Sequence, residues 1–151
     1  MNLSEAGLAL LKQSEGFRSA KYLDAAGLPT IGYGHKLASD ESYPDGITES
    51  DACVLLRFDV HCAEQAVNRL VTVALQQGEF DALVDFTFNL GAGRLASSTL
   101  LADLNAGKYE AAAMQLLRWD HGDVNGNEVE LAGLKARREA EFTLWHQGVP
   151  A

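Results

Sequence analysis

A chain of 151 residues has room for one domain, or for two small lobes sharing a core, and can fold without disulfides or metals. Its 47% hydrophobic and 22% charged residues place it among globular proteins and exclude disordered, collagenous and low-complexity classes. A net charge of −9 argues against nucleic-acid binding, which needs basic surface to displace counterions.

Residues 3–15 read as an amphipathic helix. Leu3, Leu8 and Leu11 form its apolar stripe, Ser4 is the N-cap and Gly16 the stop. The same stretch lacks the basic start and cleavage site of a signal peptide. No run approaches the roughly 18 apolar residues of a membrane span, so no stable membrane insertion is expected. Residues 22–24 and 28–33 read as strands around a turn at Ala25, Ala26 and Gly27. Pro29 argues for an edge strand, and Gly32 and Gly34 for close backbone packing.

A polar loop covers 38–47. Thr48 and Asp51 resemble a capping box opening a helix to about Leu70, with Ala52, Leu55, Leu56, Ala63, Ala66, Val67 and Leu70 as its stripe. Cys53 and Cys62 lie on this helix. Their nine-residue separation puts them on opposite faces and roughly 13 Å apart, beyond the roughly 7 Å a disulfide tolerates, so free thiols are expected. Further helices are expected over 79–90, stopping at Gly91-Ala92-Gly93, from a cap at Ser97 or Ser98 to near Asn105, over 109–118 and over 131–147. Residues 120–130 read as a loop. The pattern predicts an α+β fold: a small N-terminal hairpin lobe (about 14–48), a linking helix (about 49–70) and a helical lobe (71–151 with 3–13). The cleft between the lobes is the natural ligand site.

Glycoside hydrolysis needs two acidic functions flanking one bond: a protonated carboxyl for the leaving oxygen, and a carboxylate that stabilises charge or activates water. The first 35 residues supply both. Glu15 ends the first helix, Asp24 ends the first strand, and Thr30 on the returning strand has a hydroxyl able to hold a water. Taken singly, these are a solvated helix-end residue, a turn aspartate and a β-branched strand residue. A hairpin folding back over the end of the helix would bring them to one wall.

The combination carries a resemblance. SEGFR (14–18), YLD (22–24), Gly27 and TIGYGH (30–35) closely resemble the active-site region of phage-type lysozymes, glycoside hydrolase family 24. The likeness continues through FDALVDFTFNLG (80–91), STLL (98–101), Leu104, Asn105, residues 107–112, Arg118, Trp119, Gly133, Leu134, Arg137, Arg138, Glu141, Leu144 and Trp145. It covers nearly the whole chain. It implies a two-lobed lysozyme-like fold and a muramidase that cleaves the β-1,4 bond between N-acetylmuramic acid and N-acetylglucosamine with inversion. It places the catalytic triad on Glu15 (general acid), Asp24 and Thr30 (water positioning). It implies no metal and no organic cofactor.

The resemblance also aligns Lys36, Phe88, Asn89, Thr99 and Gln115 with substrate-binding positions. Phe88 and Thr99 read equally as core and cap residues. His35 reads as structural, paired with an acidic residue. Arg137 and Arg138 read either as contacts to substrate carboxylates or as a helix-surface pair bonded to Glu141 and aspartates. The implied partner is bacterial peptidoglycan. The implied agent is a monomeric phage endolysin, made in the host cytoplasm without signal peptide or anchor and released to the wall by a separate holin-like protein. A non-phage bacterial lysozyme is a variant of this reading. A catalytically silent binding module and a lytic transglycosylase are the alternatives, and the presence of Glu15, Asp24 and Thr30 together argues against both. The acidic charge departs from the many basic relatives, although Lys12, Arg18, Lys21 and Lys36 lie near the active-site segment.

Overall fold

The computed structural model describes residues 1–24 and 26–147, apart from the side chains of Asp123 and Val124. Ala25, in the expected turn, lies outside the described residues. The chain divides into two compact units: Leu11–Cys62, and Met1–Leu10 together with the residues from Ala63 onward. It is an α+β protein, as expected.

In the Leu11–Cys62 unit, helix α1 (Glu5–Glu15) supplies its last turn and a three-stranded sheet follows: β1 (Arg18–Leu23), β2 (Pro29–Gly32) and β3 (His35–Lys36). The Ser4 hydroxyl caps α1, accepting from the Gly7 N–H at 3.2 Å. Gly16, at φ 71°, ends the helix in a backbone region that favours glycine. The sheet order is β1-β2-β3, antiparallel throughout, with Tyr22 opposite Thr30 and Thr30 opposite Lys36.

This corrects the edge assignment from Pro29. β2 is the central strand, and Pro29 is tolerated because it stands first in it, where its carbonyl accepts from the Leu37 N–H at 3.0 Å. β1 starts at Arg18, four residues earlier than expected. RSAKYL is exposed at nearly every position, so it carries no apolar alternation to read. The two-residue β3 is too short to show a period.

The expected close packing at two glycines is present. A Cβ on Gly32 would meet that of Ala52 at 3.0 Å, and one on Gly34 would meet the Glu15 carboxylate at 3.3 Å. Both have positive φ, 66° and 81°. Helix α2 (Glu49–Leu70) starts at a Thr48 cap, whose hydroxyl accepts from the Asp51 N–H at 3.1 Å. Ala52, Leu56 and Val60 are buried on this unit's part of the helix, with Leu11, Ile31, Tyr33 and Ile47. Cys53 and Cys62 are free thiols.

His35 is clamped. Its Nδ1 lies 2.7 Å from Asp59 and its Nε2 2.9 Å from Glu41. Burial alone would push the imidazole's pKa down, but the two carboxylates outweigh it, and the pKa stands above its ordinary value. The expected acidic partner of His35 is thus present twice over, as Asp59 and Glu41.

In the other unit, α3 (Gln77–Leu90) is buried from Gly78 to Thr87 and packs against α7 (Ala132–His146). Between them in sequence lie α4 (Ala92–Ser97), α5 (Thr99–Asn105), α6 (Tyr109–Leu116) and a two-stranded hairpin, β4 (His121–Val124) with β5 (Asn127–Glu130). Ser98 caps α5, its hydroxyl accepting from the Leu101 N–H at 3.0 Å. Helix α4 begins inside the Gly91–Gly93 stretch read as a stop. The β4–β5 hairpin replaces the loop expected over 120–130. Its turn is Asn125-Gly126, with φ of 54° and 82°, the dipeptide that a tight hairpin favours.

Arg137 and Arg138 are buried, which corrects the expected surface position. Their expected bonding to Glu141 and an aspartate is present. The Arg137 guanidinium donates twice to Asp85, at 2.9 and 3.0 Å, with Asp85 fully buried. Arg138 donates to Glu141 at 2.7 Å and to Asn89 at 2.9 Å. Burial pushes the Glu141 carboxyl well above its usual range, and the neighbouring Asp85 adds to the rise.

Removing one partner of a buried pair leaves the other charge uncompensated. Arg137→Met is therefore expected to cost about 3–5 kcal/mol in denaturant unfolding, and adding Asp85→Asn is expected to recover part of it; a cost near zero for the single variant would refute the pairing. The His35 clamp gives a pH-dependent prediction. A histidine whose folded pKa is raised contributes stability that is fully present below its unfolded value of about 6.5 and is lost as pH rises through the folded pKa. The thermal-midpoint deficit of His35→Gln should thus be largest near pH ~6 and shrink in alkali, whereas a deficit independent of pH would show that charge is not what the clamp uses.

Candidate active site

Glu15 is the last residue of α1 and is half-buried. The backbone at Gly34 passes close beside its carboxylate: the Cβ that glycine lacks would stand 3.3 Å from Oε2 and press on it. The turn of α1 before it is tied down by Lys12, which ion-pairs with Glu49 at 3.3 Å. Glu49 in turn accepts from the Tyr33 hydroxyl at 2.7 Å, and the Tyr33 ring lies 5.5 Å from that of Phe17. This Lys12–Glu49–Tyr33 cluster was not foreseen. Its members come from three separate segments, and their meeting depends on the fold.

Asp24 follows β1 and does two jobs with its two oxygens. Oδ1 accepts from the N–H groups of Ala26 at 2.9 Å and Leu28 at 2.8 Å, the local bonding that makes aspartate a turn residue. Its backbone N–H donates to the Leu28 carbonyl at 3.0 Å, closing the turn. Oδ2 takes the ammonium of Lys36. The Lys36 ammonium, foremost, and then the Leu28 and Ala26 N–H groups hold the Asp24 carboxyl below its usual range. Asp24 is thus fixed as a carboxylate.

Thr30 sits in the middle of the central strand with 0% exposure. Its hydroxyl donates to the Leu28 carbonyl at 2.9 Å. With its one proton committed, the oxygen can act toward a further partner only as an acceptor.

Thr30 and Lys36 are therefore on one sheet with Asp24 directly after its first strand, and Glu15 lies beside Gly34, two residues before Lys36. Phe88, Asn89, Thr99 and Gln115 belong to the other unit. Phe88 and Asn89 are half-buried near the end of α3, where the Asn89 amide oxygen is taken by Arg138. Thr99 is exposed at the start of α5, following the Ser98 cap, and Gln115 is half-buried on α6.

Comparison with known proteins identifies the family. Residues 12–141 match the phage lysozyme family. The endolysin of Acyrthosiphon pisum secondary endosymbiont phage 1 is 38% identical over 145 residues, covering 96% of this chain and 98% of that protein. The endolysin of Bacillus phage B103 is 43% identical over 98% of this chain, which spans only 55% of that longer protein. Among solved structures, the muramidase domain of SpmX from Asticaccaulis excentricus is 38% identical and superposes with a TM-score of 0.89, over 96% of this chain and 97% of that one. The sequence match runs through the segment bearing Glu15, Asp24 and Thr30 and through the buried helix α3, and the chain belongs to the phage lysozyme family.

Proposed function

We propose that this protein is a peptidoglycan muramidase of the endolysin type, cleaving the β-1,4 bond between N-acetylmuramic acid and N-acetylglucosamine with inversion. The observation that carries the reading is the state of Asp24. It is a carboxylate fixed by two backbone N–H groups and an ammonium, at the end of the strand paired with that of Thr30, whose hydroxyl donates to Leu28 and is left to accept from any further partner.

A water between two acceptors donates one proton to Asp24 and the other to Thr30. Both lone pairs of its oxygen are then free, and one can attack. In the proposed reaction that oxygen bonds to the anomeric carbon of the muramic acid as the bond to the leaving oxygen breaks. Glu15 gives its proton to the leaving oxygen, and Asp24 accepts the proton the water loses. Attack on the face opposite the leaving group inverts the anomeric centre. The Thr30 hydroxyl contributes orientation and exchanges no proton.

The family assignment supports peptidoglycan as the target. Among the described residues no helix is long and apolar enough to cross a membrane. In this reading the enzyme is a monomer and reaches the wall through a separate holin-like protein. Of the residues aligned with sugar contacts, Phe88, Thr99 and Gln115 keep that role, supported by their incomplete burial.

The test is digestion of purified peptidoglycan by the wild type and Glu15→Gln, with mass spectrometry of the released ends. The amide has no proton to deliver, and loss of general acid catalysis costs on the order of 10²–10⁴-fold in rate. New reducing muramic-acid ends that vanish in the variant are expected. Anhydro ends would identify a transglycosylase, and no products from the wild type would identify a silent binding module.

A further inference from the structure

Lys36 aligns with sugar-contacting positions, yet its ammonium is turned onto Asp24. The sheet register explains the reach. Tyr22, Thr30 and Lys36 stand opposite one another across the three strands, and directly opposed residues point to the same face. Asp24 follows directly after β1, at the start of the turn that leads into β2. The Lys36–Asp24 pair therefore runs from β3 to the end of β1 across β2, the strand in which Thr30 is buried. Asp24 Oδ1 is occupied by the Ala26 and Leu28 N–H groups, and Oδ2 is the oxygen that Lys36 fixes.

We propose that Lys36 is a positioning residue for the hydrolysis, holding the Asp24 carboxylate in place beside Thr30 instead of binding sugar. The inference rests on the reading of Asp24 as the carboxylate that orients water. Other charged groups of this sheet are placed elsewhere. The Arg18 guanidinium lies 4.4 Å from the centre of the Tyr22 ring, His35 is held by Asp59 and Glu41, and Lys21 is exposed on β1. Lys36 is also the foremost cause of the low pKa of Asp24. Its removal should raise that pKa and carry the acid limb of the rate profile to higher pH. Lys36 is 54% exposed, and a pair this open contributes little to stability, so its variants are expected to fold.

The experiment measures kcat and KM on soluble peptidoglycan fragments across pH for Lys36→Met, Lys36→Arg, Asp24→Asn and the Lys36→Met/Asp24→Asn double variant. Lys36→Met is expected to lower kcat by about 10- to 100-fold, the scale of a small misplacement at a reacting centre, with KM unchanged and the acid limb moved to higher pH. Lys36→Arg, which keeps a cation for the carboxylate, should restore most of the rate and the acid limb. In the Asp24→Asn background Lys36→Met should change nothing further. A raised KM with kcat and acid limb intact, or a further loss in the double variant, would make Lys36 a sugar contact and overturn the proposal. Full activity in Asp24→Asn alone would instead overturn the reading of Asp24, and the positioning role with it.

Discussion

Helix α3 is buried from Gly78 to Thr87 and yet carries Glu79, Asp81 and Asp85 through that stretch. Carboxylates taken from water must find partners, and much of the surrounding unit is arranged to provide them. Asp81 accepts from the Ser4 N–H at 3.0 Å, from the Ser4 hydroxyl and from the Gln77 amide at 2.8 Å, which ties the start of the chain to α3. Glu79 accepts from the Gln76 N–H at 2.8 Å in a capping box. Asp85 takes both prongs of Arg137 and so fixes α7 in one register against α3. Buried pairs of this kind add little net stability over well-packed apolar side chains. Their consequence is that a shifted α7 would strand Asp85 without a partner.

The sheet bearing Asp24 is built on different terms. β1 is exposed along nearly its whole length, so burial cannot fix its position. Directional bonds do so instead: the pairing with β2, the Ile47 N–H donated to the Ser19 carbonyl at 2.8 Å, and the Asp24 turn that follows the strand. A carboxylate set by two N–H groups within its own tight turn has little freedom to move. Such preorganisation is what a water-orienting group requires, because reorientation during the reaction would add to the barrier.

This difference between the units also governs what could be read from the sequence. Helices α1 and α2 were legible because caps and apolar stripes coincide in them. The β4–β5 hairpin was not, although Asn125-Gly126 is a strong turn signal, because the described flanking positions are nearly all exposed and show no alternation. Arg137 and Arg138 misled because charge on a helix suggests surface, while the acid that buries Arg137 lies 52 residues away on a helix whose composition reads as apolar. Glu15, Asp24 and Thr30 stood out only through their joint resemblance to a known motif. The Lys36–Asp24 pair required the register of a two-residue strand, which no periodicity could supply.

The acidic charge follows in part from the same construction. Acidic residues outnumber lysine and arginine by 21 to 12, and several of them are partnered by neutral donors. Glu79 accepts from the Gln76 N–H, and Asp81 from serine and an amide. A carboxylate used as an acceptor for backbone N–H groups and hydroxyls needs no cation beside it, so a fold that closes its interior this way accumulates negative charge without a matching base. At physiological salt, charges further apart than about 8 Å are largely screened. Approach to an anionic wall is then governed by the groups close to the contact, so the total of −9 does not conflict with action on peptidoglycan.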